Sequence, residues 1–262
     1  MDYARREFAA LALGVLASLL IAGCRAAPGT ARSPQTLRVL TYNIHHGEGT
    51  DKQFDYQRLA GVINGLNPDI IALQEVDHGT ERASGADQAK LLAKLCRMHY
   101  AFGQAMPYQG GQYGEAILSR FPIEKTFVHP LPYQLDREPR SAIEVVIAPP
   151  GIGPISFVGT HLCHQSNELR TLQTQRLSQL FPAQKGKPVI LAGDFNARPG
   201  SDPMNVLLNA GWVDAVAPRS VIDYVLIRGC DPWTVKDVII LDEPIASDHD
   251  PVLVVLQWQG DN

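Results

Sequence analysis

Several apolar runs in this chain stop at a carboxylate, an amide or an imidazole. Asn43 closes LRVLTYN, Glu75 closes DIIALQE, and His161 closes ISFVGTH. Asp194 and Asn196 end PVILAGDFN, Asp223 opens IDYVLI, and Asp248-His249 immediately precede the final apolar run. Unpaired acids are costly to bury, so their place is where strands end, and strand ends can converge on one cleft. Glu75 with Asn43 offers hard oxygen donors suited to Mg²⁺ or Mn²⁺. Two histidines among carboxylates offer acid–base groups. Asn196 can orient a water or a phosphate oxygen. With no evident serine or cysteine nucleophile, this set suits hydrolysis by activated water. Neither GxxxxGK[ST] nor GxGxxG occurs, so chemistry driven by nucleotide binding is not expected.

The elements that must position these groups can be read from pattern. Branched apolar runs at 37–43, 69–75, 115–119, 142–147, 155–162, 188–195, 222–227, 235–241 and 252–258 predict strands. Helical spacing marks Leu59, Val62, Ile63 and Leu66, then Leu91, Leu92, Leu95 and Cys96, then Leu169, Leu172, Leu177 and Leu180. A short fourth helix starts at Asp202-Pro203 and stops at Gly211. The early βαβ rhythm followed by closely spaced strands predicts two sheets face to face, with helices outside.

Composition narrows the class. The 262 residues are 45% hydrophobic and 19% charged, which excludes a disordered chain, a coiled coil and a multi-span membrane protein. Lys+Arg total 23 against Asp+Glu 27, a net charge of −4, so no global attraction draws the chain to nucleic acid. No CxxC pair points to zinc.

The first 23 residues read as an address. Arg5-Arg6 precede an apolar stretch, Phe8 to Ala22, too short for a span of ~20 residues. It ends in Ile21-Ala22-Gly23-Cys24, which resembles the lipobox of bacterial lipoproteins, where the peptide is cut before a cysteine that then carries lipid. Arg5-Arg6-Glu7-Phe8 also resembles a twin-arginine export motif. The alternatives are an ordinary signal peptide or an uncleaved anchor. The expected organisation is a lipoprotein signal peptide at 1–23, a flexible tether at 24–36 and one domain at 37–260. Cys96, Cys163 and Cys230 are expected as buried free thiols, with one disulfide left open.

TYNIHHG (41–47), PDIIALQEVD (68–77), YGEAILSRFPI (113–123), GTHL (159–162), GDFNA (193–197), IDYVL (222–226) and SDHDPV (247–252) together resemble the ordered motifs of the endonuclease/exonuclease/phosphatase superfamily, near its sphingomyelinase-like branch. The resemblance runs from about Leu37 to Leu256. It implies a four-layer α/β/β/α sandwich and a metal-dependent phosphoric ester hydrolase, a phosphodiesterase before a phosphomonoesterase. Glu75 would be the main Mg²⁺ or Mn²⁺ ligand, supported by Asn43 and Asp248. His249, oriented by Asp223, would act as general base or hold the scissile phosphate. His161 would bind phosphate oxygens, and Asp194 and Asn196 would position water and phosphate. Arg140 would clamp a phosphate oxygen, with Tyr113 as a substrate contact.

Two departures stand out. Glu115 replaces an asparagine common in relatives, and a carboxylate there is expected to accept a hydrogen bond from His161 and raise its pKa, or else to add charge near the metal. The stretch between Asp194 and Asp223 is short, which leaves the cleft open on that side. His45 and His46 read as a solvated loop, Arg170 and Arg176 as a solvated helix face or as packing a sheet edge, and His164 receives no role. The partners expected are a phosphoester, with a lipid headgroup as one candidate, and a membrane reached through lipid on Cys24. The chain is expected to be an exported, monomeric bacterial envelope protein. The alternative is an exported DNase I-like nuclease, disfavoured because no Lys/Arg cluster is present to neutralise phosphates.

Overall fold

The computed structural model of the protein describes residues 35–260. The expected signal peptide, Cys24 and most of the expected tether lie outside the described residues. Twelve strands and four α-helices are described: β1 Thr36–Asn43, α1 Tyr56–Leu66, β2 Ile70–His78, α2 Gln88–Cys96, β3 His99–Tyr108, β4 Gly111–Ser119, β5 Lys125–Pro130, β6 Ser141–Ile147, β7 Ile155–His161, α3 Asn167–Leu180, β8 Val189–Asp194, α4 Asp202–Asn209, β9 Trp212–Asp214, β10 Asp223–Arg228, β11 Trp233–Ile240 and β12 Val252–Trp258. Two six-stranded sheets result, in the orders β11-β12-β1-β2-β4-β3 and β5-β6-β7-β8-β10-β9. Each is mixed, with one parallel pair at its centre, β1 with β2 and β7 with β8.

Alternation along the strands builds the layers. In β1, Leu37 and Val39 face the core between the sheets, whereas Leu40 and Tyr42 face the layer of α1 and α2. In β8, Ile190 and Ala192 point inward and Leu191 points to α3 and α4. Both faces of the central strands are therefore buried, which is why they read as continuous apolar runs. The result is a four-layer α/β/β/α sandwich, as expected. Among the described residues, no helix is long and apolar enough to cross a membrane.

Three strands escaped the pattern. β5 is exposed along nearly its whole length, β9 has three residues, and β3 is a half-exposed edge strand. Edge strands have no fully buried face to impose an apolar signature. In α3 the buried positions are Leu169, Gln173, Thr174 and Leu177, while Leu172 is exposed. The three described cysteines are free thiols, but only Cys163 is buried; Cys96 is half-buried and Cys230 exposed.

Candidate active site

Both sheets deliver polar side chains to the same end of the sandwich. In the second sheet, Asp194 of β8 is the register partner of His161 on β7 and of Asp223 on β10. Three adjacent strands thus place an imidazole and two carboxylates side by side. Gly193 makes the close approach feasible, since a Cβ there would lie 2.0 Å from the Thr160 carbonyl oxygen.

The first sheet uses backbone distortion. The register of β2 against β4 slips between Leu73 and Val76, and Glu75 within that bulge has φ 58°. A bulge re-aims a side chain, here the Glu75 carboxylate into the cleft. Asn43 ends β1 beside it. The Asn43 amide oxygen accepts the His45 N–H at 3.0 Å. Its Nδ2 donates to Glu75 Oε1 at 3.0 Å and to Asp194 Oδ2 at 3.3 Å, linking the two sheets. His45 and His46 both have φ 45°, and His46 Nδ1 stands 3.7 Å from Glu75 Oε2.

Asp248 and His249 arrive on the segment before β12. The buried Ser247 hydroxyl donates to the Asn43 carbonyl at 2.7 Å and anchors that segment to β1. His249 Nδ1 then meets Asp223 Oδ2 at 3.0 Å, and its Nε2 lies 3.7 Å from Asp194 Oδ2. Asp248 is solvent-exposed at the cleft wall. The cleft, about 500 Å³, holds every predicted catalytic, metal and phosphate residue among its lining except Asn43, Asp223 and Glu115. Asn43 and Asp223 touch lining groups directly. Five of the chain's eight histidines line it: His45, His46, His161, His164 and His249.

The protonation pattern follows from these contacts. Arg140 is buried and its Nη1 lies 2.9 Å from His161 Nδ1. A guanidinium can only donate, so Nδ1 accepts and the His161 proton sits on Nε2. Burial, then the Arg140 charge, holds His161 well below the usual imidazole range, so it is neutral. Asn196 Nδ2, fixed by the Leu162 carbonyl at 3.1 Å, lies 3.0 Å from His161 Nε2. Two N–H donors therefore converge beside Asp194 Oδ2, which is 3.4 Å from Nε2. Such a pair of donors suits an anionic oxygen.

Burial works against ionisation of Glu75, but hydrogen bonds from His46 and Asn43 in a histidine-rich surrounding outweigh it and hold its carboxyl far below the usual range. Burial and the neighbouring Asp223 push Asp194 upward. Burial depresses His249, yet its hydrogen bond to Asp223 and the surrounding carboxylates prevail and raise it to about 9. Burial keeps the Tyr113 phenol protonated.

Glu115 is a correction. It is fully buried and accepts from Ser141 Oγ at 2.8 Å, not from His161, whose Nδ1 is occupied by Arg140. Burial raises Glu115 itself to about 8, whereas His161 is shifted down, opposite to the expectation.

Sequence reasoning also missed cleft residues. His45 and His46 are half-buried cleft residues, not solvated loop. Arg82 is held in two-pronged fashion by buried Asp77 at 2.7 and 2.9 Å and lies 4.6 Å from the Tyr108 ring centroid. His164 Nδ1 is 3.3 Å from Arg140 Nη2. Adjacency to Asn43 was the only signal for His46; Arg82 and His164 had none. Arg170, left open between solvent and packing, donates to the Cys163 carbonyl at 2.7 Å.

The donor set fits a divalent cation. Glu75, Asp194 and Asp248 bring hard oxygens to one cleft. Ligand atoms of Asp194, Asp223 and His249 lie within 4.8 Å of one another, and Asp223 Oδ1 is buried with no hydrogen-bond partner.

Comparison with known proteins agrees with this geometry. Residues 40–249 match the model of the Endonuclease/Exonuclease/phosphatase family. The uncharacterized protein YbhP of Escherichia coli (strain K12) is 29% identical over 174 residues, 62% of this chain and 67% of that one. The inositol phosphosphingolipids phospholipase C of Saccharomyces cerevisiae is 32% identical over 171 residues, 56% of this chain but 34% of that one, so the chain spans about a third of its length. The endonuclease/exonuclease/phosphatase from Beutenbergia cavernae DSM 12333 superposes with a TM-score of 0.71 at 25% identity, over 86% of this chain and 72% of that one. The mannosyl-6-phosphatase Bt3783 of Bacteroides thetaiotaomicron VPI-5482 shares the fold, with a TM-score of 0.64 at 20% identity over 84% and 99% of the two chains. With its two sheets, its strand-end donors and a matching family model, the chain belongs to the Endonuclease/Exonuclease/phosphatase family, typically metal-dependent hydrolases of phosphoesters.

Proposed function

We propose that this chain is a Mg²⁺- or Mn²⁺-dependent phosphodiesterase of the bacterial cell envelope, exported, tethered by lipid on Cys24, and acting on a lipid-like or small phosphodiester. The observation that carries the catalytic part is the pair of convergent donors, His161 Nε2–H and the Asn196 amide, beside Asp194 and across from Glu75. Glu75, with Asn43 and Asp248, would hold the cation, which when bound neutralises charge on the phosphoryl oxygens. Arg140 keeps His161 in the donating tautomer and adds positive charge behind it. Asp194, shifted up, is basic enough to take a proton from an attacking water. His249, charged at neutral pH, can give a proton to the departing alkoxide while Asp223 holds its ring. Among the described residues, no serine, threonine or cysteine lines the cleft, and Tyr113 stays a phenol, which favours direct attack by water.

The apolar stretch ending at Cys24 supports the tether, and the name of the yeast relative, a phospholipase C, supports a lipid phosphodiester. The test is hydrolysis by the full chain in mild detergent with Mg²⁺ or Mn²⁺. The panel holds bis-p-nitrophenyl phosphate, sphingomyelin, phosphatidylinositol, an inositol phosphate and plasmid DNA. Turnover of a diester, abolished by EDTA and by His249→Ala, is the expected result. Turnover of the monoester alone would overturn the diesterase reading, and turnover of plasmid DNA alone would establish a nuclease. Cys24→Ser should release the chain from the membrane fraction; retention would overturn the tether.

A further inference from the structure

A second cavity, about 250 Å³, opens on the other side of His249. Asp248 and His249 line both this recess and the catalytic cleft, so the two are neighbours across one wall. The character of the recess is different. Val221, Ile222, Ile240 and Val252 line it, and Val221 is 54% exposed. Arg219, Val221 and Ile222, from the connection between β9 and β10, form one side of it.

Its charges disfavour a second anion. Asp223 is compensated by His249 at 3.0 Å. Asp248 and Asp250 then outnumber Arg219, whose Nη1 is already engaged by the Val238 carbonyl at 2.6 Å. A second phosphate would meet net negative charge, whereas an uncharged carbon group would gain contact with four apolar side chains. A phosphodiester centred in the cleft carries two alcohol groups, and one of them can extend past His249.

We propose that this recess is a subsite for an uncharged, largely apolar alcohol group of the substrate, alkyl or aryl, and that Val221 and Ile240 determine the preference. The inference rests on the phosphodiesterase reading above and names one side of its substrate.

The test uses the full chain with Mn²⁺ and bis-p-nitrophenyl phosphate as reporter, with diphenyl phosphate, dibutyl phosphate and dimethyl phosphate as competing diesters. Unreactive competitors bind whichever ester group enters the recess, so the result does not depend on which group departs. Wild-type protein should be inhibited at least about tenfold more tightly by the diphenyl or dibutyl ester than by the dimethyl ester. The two bulky esters distinguish a flat aryl from an alkyl occupant. Val221→Asp should remove most of that ratio and leave dimethyl phosphate inhibition unchanged. Ile240→Ser, checked for folding by circular dichroism, should do the same. A ratio that both variants leave intact, in protein that still hydrolyses the reporter, overturns the subsite and leaves the phosphodiesterase reading standing. Absence of hydrolysis of any diester overturns that reading, and the subsite with it.

Discussion

In the second sheet, His161, Asp194 and Asp223 are register neighbours on β7, β8 and β10, placed by ordinary strand pairing. In the first sheet, Glu75 sits in a bulge with φ 58°, beside two histidines at φ 45°. One half of the site is set by register, the other by left-handed backbone. The two should therefore fail differently. In the register-built half, side-chain chemistry matters and the backbone tolerates replacement. In the bulged half, a residue must also accept a conformation that branched side chains resist.

The largest contrast is expected in the register-built half. His161→Ala should lower kcat/KM for a phosphodiester by about 10²–10³-fold through the loss of an aligned donor, with Tm close to wild type. A large drop in Tm would mean that the imidazole also supports the fold, and the comparison would break. Glu75 should show both kinds of loss. Glu75→Asn and Glu75→Ile should each weaken Mn²⁺ binding, read by isothermal titration. Only the isoleucine should cost about 1–2 kcal/mol more in urea unfolding, because asparagine tolerates positive φ and a branched side chain does not. Equal stability of the two variants would remove strain from the account.

Glycines sharpen the same point. Gly47 has φ +86°, and a Cβ there would stand 2.8 Å from Tyr56 Cε1 and 2.9 Å from Gln88 Nε2. Gly47→Ala should destabilise by about 1–3 kcal/mol and disturb His46 next to it. Gly159 lies between the sheets, where a Cβ would have its nearest neighbour at 3.4 Å. Gly159→Ala should fall within about 0.5 kcal/mol of wild type, and both values come from the same denaturant series.

The Glu115 contrast is one of pH dependence. Folding raises its pKa from 4.5 to about 8, chiefly through burial. Between those values the folded chain keeps a proton that the unfolded chain releases, so stability falls as pH rises through that window. Glu115→Gln removes that slope. Its Tm relative to wild type should climb by several degrees from pH 5 to pH 8 and level off above. A difference independent of pH would mean that Glu115 is ionised in the fold.

These contrasts also explain what the sequence could reveal. The residues delivered by register were legible because each ends a buried run, and the layers were legible because central strands are apolar on both faces. Glu75 was legible only as a motif, since a bulge leaves no mark on hydrophobic periodicity. His46 was read as solvated for the same reason. Arg82 and His164 reach the cleft from connecting segments, where no periodicity exists. Glu115 was misread because its partner is set by packing inside the sandwich, where Ser141 Oγ rather than His161 meets it.

Ser247 has a wider consequence. Its hydroxyl ties the His249 segment to Asn43 on the first sheet, whereas Asp223 belongs to the second. The 3.0 Å bond between His249 and Asp223 therefore spans the sandwich like a gauge between two plates. Any change that alters the spacing of the plates, such as enlarging Val39 or Ile143 in the layer between them, will be felt at this bond. Turnover then becomes a readout of sheet-to-sheet distance, and it should decline while the fold still melts as one unit.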